Sequence, residues 1–131
     1  MLTKSEYDHL SAQLIDSAYH VHKEMGPGLL ESVYEYCLSA ELRSRGLAVQ
    51  EQVFVPLFYK GRALNKDFRL DLLLSDEIVI EIKAVEALLP LHEAQIISYL
   101  KLTDKCLGFI INFNVPQIKN GIRRFVNKYP Y

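Results

Sequence analysis

The stretch FRLDLLLSDEIVIEIKA, residues 68–84, consists of two apolar runs joined by three polar residues at 75–77. Apolar runs of this length on either side of a short polar break predict two strands and a tight turn. Side chains alternate between the two faces of a strand, so Glu81 and Lys83 share one face and the isoleucines of 78–82 share the other. The stretch therefore predicts an antiparallel hairpin that carries charges on one side.

The apolar residues also fix the expected register of this hairpin. If the leucines at 70, 72 and 74 lie on the same side as the isoleucines, the partners are 74/78, 72/80 and 70/82. Asp71 then faces Glu81 and Arg69 faces Lys83, which sets like charges against each other and is mildly destabilising. Diagonal neighbours of opposite sign compensate for this only in part.

A divalent cation between the carboxylates of Asp71 and Glu81 would compensate fully, because Mg²⁺ and Mn²⁺ prefer hard oxygen ligands. Lys83 beside such an ion would hold a phosphate or polarise a water, a layout suited to metal-assisted phosphodiester cleavage. The other interpretation is a hairpin with one solvated face and ordinary surface charges. The hairpin alone leaves both interpretations open.

Composition limits the class of protein. The chain has 131 residues, of which 50% are hydrophobic and 24% charged, with a formal net charge of −1. These values predict a single globular domain over residues 1–131. No apolar run reaches the length of a membrane span and the start lacks the apolar core of a signal peptide, so we expect a cytoplasmic protein without a membrane partner. Cys37 and Cys106 are expected to be reduced core residues.

Positive charge accumulates after Asp104, the last acidic residue. Five cations follow it and give the segment a formal charge of +5: Lys105, Lys119, Arg123, Arg124 and Lys128. Interleaved with aromatic residues, such a segment is able to follow a nucleic-acid backbone. It is equally consistent with a solvated edge.

Two helices are predicted before the hairpin, over residues 5–24 and from Leu29 or Leu30 to about Arg45, where apolar residues recur at three- and four-residue steps. The break between them contains Gly26-Pro27-Gly28, which we expect to redirect the chain. Glu31 falls in the first turn of the second helix. An acid there suits the helix dipole, and it is also a candidate oxygen ligand for an ion at the hairpin.

The remaining segments complete an α/β pattern. We predict a strand between Gly46 and Tyr59, with Lys60-Gly61 as a turn into residue 68, and a helix over 91–102 that places Gln95 and Tyr99 on one face. Residues 106–113 form a continuous apolar run typical of a buried strand after a crossover helix. Residues 117–126 stay ambiguous between an edge strand and a short helix. The order predicts an α/β sandwich around a mixed sheet.

Three of the four histidines bear on a possible site. His20 and His22 are two apart on a helix and point in different directions, so we expect surface residues and no shared metal. His92, three residues before Gln95, is expected to have a structural or surface role.

Four stretches of the sequence, in order, resemble the motifs of a known family. Gly28-Leu29-Leu30-Glu31-Ser32-Val33-Tyr34 is similar to the motif of the GxxExxY proteins. Asp71, Glu81-Ile82-Lys83 and Gln95-Ile96-Ile97-Ser98-Tyr99 resemble the successive motifs of the PD-(D/E)xK nuclease-like superfamily. The resemblance implies a restriction-endonuclease-like core with a mixed four- to five-stranded sheet flanked by helices. Leu70 stands where the superfamily's name has a proline.

The resemblance also implies roles for individual residues. Asp71, Glu81, the backbone carbonyl of Ile82 and Glu31 would bind Mg²⁺ or Mn²⁺. Lys83 would contact the scissile phosphate or the attacking water. Gln95 and Tyr99 would be the accessory pair that lines the site.

The expected activity is hydrolysis of DNA or RNA phosphodiester bonds by a metal-dependent nuclease. Two alternatives remain. One is a catalytically silent nuclease-fold module that binds nucleic acid or a protein partner. The other is a structural protein that forms a homo-oligomer through a strand edge near its C-terminus.

Overall fold

A computed structural model describes residues 1–65 and 68–131. Its helices are α1 (Lys4–Met25), α2 (Glu31–Ser44) and α3 (Pro90–Thr103), with a short 3₁₀ helix at Ile118–Gly121. Its strands are β1 (Val49–Phe54), β2 (Phe58–Tyr59), β3 (Arg62–Ala63), β4 (Arg69–Leu74), β5 (Ile78–Lys83), β6 (Leu107–Asn112) and β7 (Ile122–Val126). The predicted helices are therefore confirmed to within a few residues.

Five strands form the main sheet, in the order β1-β4-β5-β6-β7. All neighbours are antiparallel except β5 and β6, which are parallel and are joined by the crossover helix α3. Parallel neighbours need such a crossover, whereas antiparallel ones can be joined by a short turn, as β4 and β5 are. The sheet confirms the predicted mixed α/β architecture, which is consistent with a restriction-endonuclease-like fold.

The two faces of the sheet are covered differently. Helices α1 and α2 pack on one face and form the larger hydrophobic cluster, which includes Leu72, Ile80 and Phe109. Helix α3 covers the other face with a smaller cluster, to which it contributes Ile96 and Leu100. Alternation along the strands directs Asp71 and Glu81 to the face of α3.

The β4–β5 hairpin has the predicted register at its turn and departs from it at the other end. Pairs 74/78, 73/79 and 72/80 form as expected. Leu70, however, packs in the smaller cluster with Leu73 and Val79, so its predicted place beside Leu72 is wrong. The cause lies at Asp71, whose carboxylate accepts the N–H of Ile82 at 2.8 Å and so replaces ladder pairing there.

The segment between β1 and β4 also differs from the prediction. One strand was expected up to Tyr59, but β1 ends at Phe54, shortly before Pro56, which cannot donate to a sheet. Lys60 and Gly61 do form a turn, yet it joins β2 to β3 instead of leading into residue 68.

The C-terminal segment contains both of the structures between which the sequence left it open. Residues 118–126 contain a short helix and then an edge strand, so each predicted alternative is present in part. The cations are divided between the two faces. Arg123 lies 3.2 Å from Glu93 on α3, and Arg124 lies over the ring of Tyr129, which belongs to the larger cluster. The segment is therefore not one continuous basic patch.

Two single-residue expectations have opposite outcomes. His20 is exposed, as predicted. His22 is buried, with its Nε2 2.7 Å from the carbonyl oxygen of Val115, so its predicted surface position is wrong. This contact ties the end of α1 to the loop after β6. Neither cysteine forms a disulfide, and Cys106 is buried. Within the described parts of the chain, no helix has the length and apolar character to cross a membrane.

Candidate active site

The candidate site lies where β4 and β5 stop pairing. Asp71, near the start of β4, is half-buried, and its Oδ2 accepts the N–H of Ile82. Gln52, between the two β1 residues that pair with Leu70 and Leu72, adopts a φ of 49° that side-chain-bearing residues rarely take. The backbone pairing at Asp71 is thus irregular towards both β1 and β5. On the β5 side, the Asp71 carboxylate takes part in the contact between the strands by accepting the N–H of Ile82.

Glu81 is the most perturbed acid of the site. Its side chain is only 6% exposed, and its Oε1 has no hydrogen-bond partner among the residues that the structure describes. Burial, and next the negative charge of Asp71, raises the pKa of Glu81 to about 10. At neutral pH the carboxyl therefore retains its proton unless a cation replaces it.

Lys83 is held at the end of β5 by the neighbouring strand. Its carbonyl oxygen accepts the N–H of Phe113 at 2.9 Å. The Asn112 side chain accepts the N–H of Val85 at 3.0 Å and donates to the carbonyl of Val85 at 2.9 Å, which fixes the chain beyond Lys83. A Cβ at Gly121 would collide with the carbonyl of Asn112, so this close approach requires glycine.

Glu31, the first residue of α2, belongs to the same site. Glu31 as a whole is exposed at the rim of the site, but protein atoms partly surround its carboxylate. This partial burial raises the pKa of Glu31. Asp71 raises that pKa further, whereas the nearby Lys83 and His92 oppose the shift. Glu31 therefore lies within electrostatic range of Asp71 and Lys83.

Tyr34 holds the loop that presents Glu31. Its hydroxyl donates to the carbonyl of Gly26 at 2.6 Å and accepts the N–H of Leu29 at 3.0 Å. Its ring stacks on Phe113 with centroids 4.6 Å apart. No role for Tyr34 was predicted from the sequence. Its spacing of three residues from Glu31 within one motif was the signal that linked the two residues.

Glu35 is a second residue for which the sequence predicted no role at the site. It lies one helical turn after Glu31, where burial raises its pKa and two hydrogen bonds from Gln52, at 3.0 and 3.1 Å, lower it. The charge of Asp71 also raises that pKa, so Glu35 belongs to the acidic cluster. Its four-residue spacing from Glu31 was the signal for it.

Helix α3 closes the other side of the site. Burial, followed by the charges of Glu81 and Asp71, raises the pKa of Tyr99, whose ring meets Phe68 edge-on at 4.4 Å. Gln95 is half-buried one turn earlier on the same helix, hence on the same face.

His92 lies at the start of the same helix. Its Nδ1 accepts the N–H of Leu89 at 3.0 Å and so caps α3. This contact agrees with the structural role that the sequence favoured for His92.

The carboxylates of the site are candidate ligands for a divalent metal. Among residues 1–65 and 68–131, no three His, Cys, Asp or Glu side chains form a group that would hold a metal by themselves. Mg²⁺, however, is usually bound by one or two carboxylates and keeps several waters. Asp71 fits that pattern together with the buried Oε1 of Glu81, which has no partner in the described part of the chain. The residues therefore fit a metal that water and substrate oxygens help to ligate.

Comparison with family models identifies the class of protein. The model of the PD-(D/E)XK nuclease superfamily matches residues 8–125, and the chain belongs to that superfamily. Nucleases of this superfamily generally depend on a divalent metal. Comparisons with curated proteins and with solved structures gave no match.

Proposed function

We propose that the protein is a Mg²⁺- or Mn²⁺-dependent nuclease that hydrolyses phosphodiester bonds of DNA or RNA, and that it is of the GxxExxY type. The proposal rests above all on Glu81, a buried carboxyl with one oxygen unpartnered among the described residues, next to Asp71. Leaving such a group buried costs stability unless a ligand uses it. Membership of a nuclease superfamily supplies the class of reaction.

Each residue has a distinct part in this proposal. Asp71, Glu81 and the carbonyl of Ile82 hold the metal, while Glu31 adds negative charge from the rim. A bound divalent ion activates water and stabilises negative charge on the phosphoryl oxygen. Lys83 supplies a positive charge for the phosphate. Tyr99 lines one wall of the site beside the substrate, together with Gln95 one turn earlier on α3.

The proton on Glu81 couples this site to pH. Because the pKa of Glu81 is raised to about 10, the carboxyl must release its proton before it ligates a cation. Metal affinity should therefore increase as the pH rises from neutral. Lys83 and the metal would each favour the ionised carboxylate.

Nuclease assays on wild type and Glu81→Ala test the proposal. Purified full-length proteins would be incubated with single-stranded and duplex DNA and RNA, in Mg²⁺, in Mn²⁺ and in EDTA. We expect cleavage by wild type only with metal, and a loss of roughly 100-fold or more in the variant. Glu24→Gln, an exposed acid on α1, is the matched control and should retain full activity. Equal cleavage by wild type and Glu81→Ala would contradict the proposal.

The silent-module alternative predicts a different result in the same assays. Nucleic acid or a protein partner would bind, no substrate would be cut in any metal, and calorimetric titration of Mn²⁺ would show no heat of binding. Leu70 in place of the family's proline is the feature of this chain that leaves room for it. Metal binding that disappears in Glu81→Ala would argue against a silent site.

A further inference from the structure

An exposed hairpin projects beside the candidate site. Strands β2 and β3 pair through Phe58↔Ala63 and Tyr59↔Arg62, and the backbone bond from Leu64 N–H to Leu57 extends the pairing. Lys60 and Gly61, with φ of 48° and 77°, form the left-handed two-residue turn that suits a twisted hairpin. We call residues 57–64 the ribbon.

The ribbon exposes aromatic rings that folding does not use. Phe58 and Tyr59 are each 64% exposed, and all four strand residues of the ribbon are exposed. A two-stranded hairpin is marginal by itself and gains stability by burying a face. Two large rings left in water at the tip of such a hairpin indicate a surface that binds something.

The charge of this region is positive, in contrast to the chain as a whole. No acidic residue occurs within the ribbon, residues 57–64, whereas it contains Lys60 and Arg62. On the structure, Lys60 Nζ lies 5.5 Å from the centre of the Tyr59 ring, and Arg62 is the cross-strand partner of Tyr59. One face of the ribbon thus combines an aromatic ring with two cations.

The other face of the ribbon borders a groove, and the base of the ribbon is linked to the candidate site. Phe58 lines this groove of about 590 Å³ together with Phe54 and Leu70. At the base of the ribbon, Val55 N–H donates to the carbonyl of Phe68, the residue whose ring packs against Tyr99. The base of the ribbon is therefore connected to the candidate site through Phe68 and Tyr99.

We propose that the ribbon is a binding arm for single-stranded nucleic acid. The inference takes its class of ligand from the proposed function and adds the strandedness and the element that binds it. Unpaired bases stack on exposed aromatic rings in a way that tolerates any sequence, and Lys60 and Arg62 neutralise the adjacent phosphates. A duplex offers these rings no free base face, so phosphate contacts alone remain for it.

Fluorescence anisotropy tests this arm without interference from cleavage. The probe is a labelled single strand of about 12 nucleotides, within the usual site sizes of such proteins, and the matched duplex serves for comparison. Binding is measured on full-length Glu81→Gln protein, alone and combined with F58A/Y59A or with K60Q/R62Q. The matched aromatic control is Tyr36→Ala, which removes a ring that is 73% exposed on α2.

We expect F58A/Y59A to weaken single-strand binding roughly tenfold or more, and duplex binding much less. K60Q/R62Q should weaken both and reduce the salt dependence of binding. Tyr36→Ala should bind like the parent protein.

The inference is overturned if F58A/Y59A binds the single strand like its parent, or if Tyr36→Ala loses as much. It is also overturned if light scattering shows a dimer that F58A/Y59A converts to monomer, because the rings would then contact a second copy. Ribbon-dependent binding without cleavage in any metal would contradict only the proposed hydrolysis. Wild-type cleavage with ribbon-independent binding would contradict only the arm.

Discussion

The two ends of the β4–β5 hairpin use the same strands for different purposes. Near the turn, Leu74 and Ile78 pair in regular register and are fully buried. At the open end the regular backbone pairing stops, and the Asp71 carboxylate accepts the N–H of Ile82. Glu81 is buried there without a partner for Oε1 among the described residues. The closed end therefore stabilises the fold, and the open end carries charges that the fold has to tolerate.

The largest expected effect is at the closed end. Ile80 is fully buried and pairs with Leu72, so Ile80→Ala leaves a cavity in the larger cluster. We expect the free energy of unfolding to fall by about 2–5 kcal/mol, measured by urea denaturation. Ile97→Ala, at a partly exposed position on α3, is the control and should cost less than about 1 kcal/mol. Equal losses would mean that the closed end is not the stable one.

At the open end, Glu81→Gln should act in the opposite direction and increase stability. With a pKa of about 10 in the folded state and 4.5 as the ordinary value, Glu81 binds a proton on folding anywhere between those pH values. The wild type therefore loses stability as the pH rises through this window, and the neutral amide does not. We expect the variant to be more stable by about 1–3 kcal/mol at neutral pH and equal to wild type below about pH 4.

Denaturation curves across this pH range, with and without Mg²⁺, measure that difference. Mg²⁺ should stabilise wild type more than Glu81→Gln, because the variant keeps Asp71 but lacks the second carboxylate ligand. Glu24→Gln, exposed on α1, should follow wild type at every pH. A constant difference between wild type and Glu81→Gln from acid to alkaline pH would show that Glu81 keeps an ordinary pKa in the folded protein.

The closed end was the more predictable of the two from sequence. Alternation and the three-residue break fixed the pairs 74/78 and 72/80, and the continuous apolar run after α3 indicated the buried parallel strand β6. Such patterns are repeated along many residues, so they survive local exceptions.

The sequence failed where a single side chain competes with the backbone. Leu70 was placed by extending the alternation past Asp71, but the bond from the Ile82 amide to Asp71 interrupts the ladder there. Glu35 and Tyr34 depend on contacts with Gln52 and with the loop at Gly26, which are distant from the hairpin in the chain. Contacts of this kind follow from tertiary packing and leave no periodic signal.

Tyr34→Phe would sharpen the comparison, because it loosens a loop of the open end and leaves the core intact. The variant keeps the ring on Phe113 and loses the hydrogen bonds to Gly26 and Leu29. We expect a loss of about 1–2 kcal/mol in stability from the two bonds. We also expect faster amide exchange at Leu29 and a cleavage rate reduced more than its KM, because Glu31 is less well positioned. Unchanged exchange at Leu29 would show that the hydroxyl does not hold the loop.

The smallest expected change in stability is that of Asp71→Asn, less than about 1 kcal/mol, because the amide oxygen still accepts the N–H of Ile82. Its informative effect is on the pKa values of its neighbours. The charge of Asp71 raises the pKa of both Glu81 and Tyr99, so both should fall in the variant. Burial is the larger cause in each case and remains, so neither should return to its ordinary value. Carboxyl NMR of Glu81 and ultraviolet titration of Tyr99 measure these shifts. An unchanged pKa at both residues would mean that the open end differs from the closed end by burial alone and that the charge of Asp71 has no effect on its neighbours.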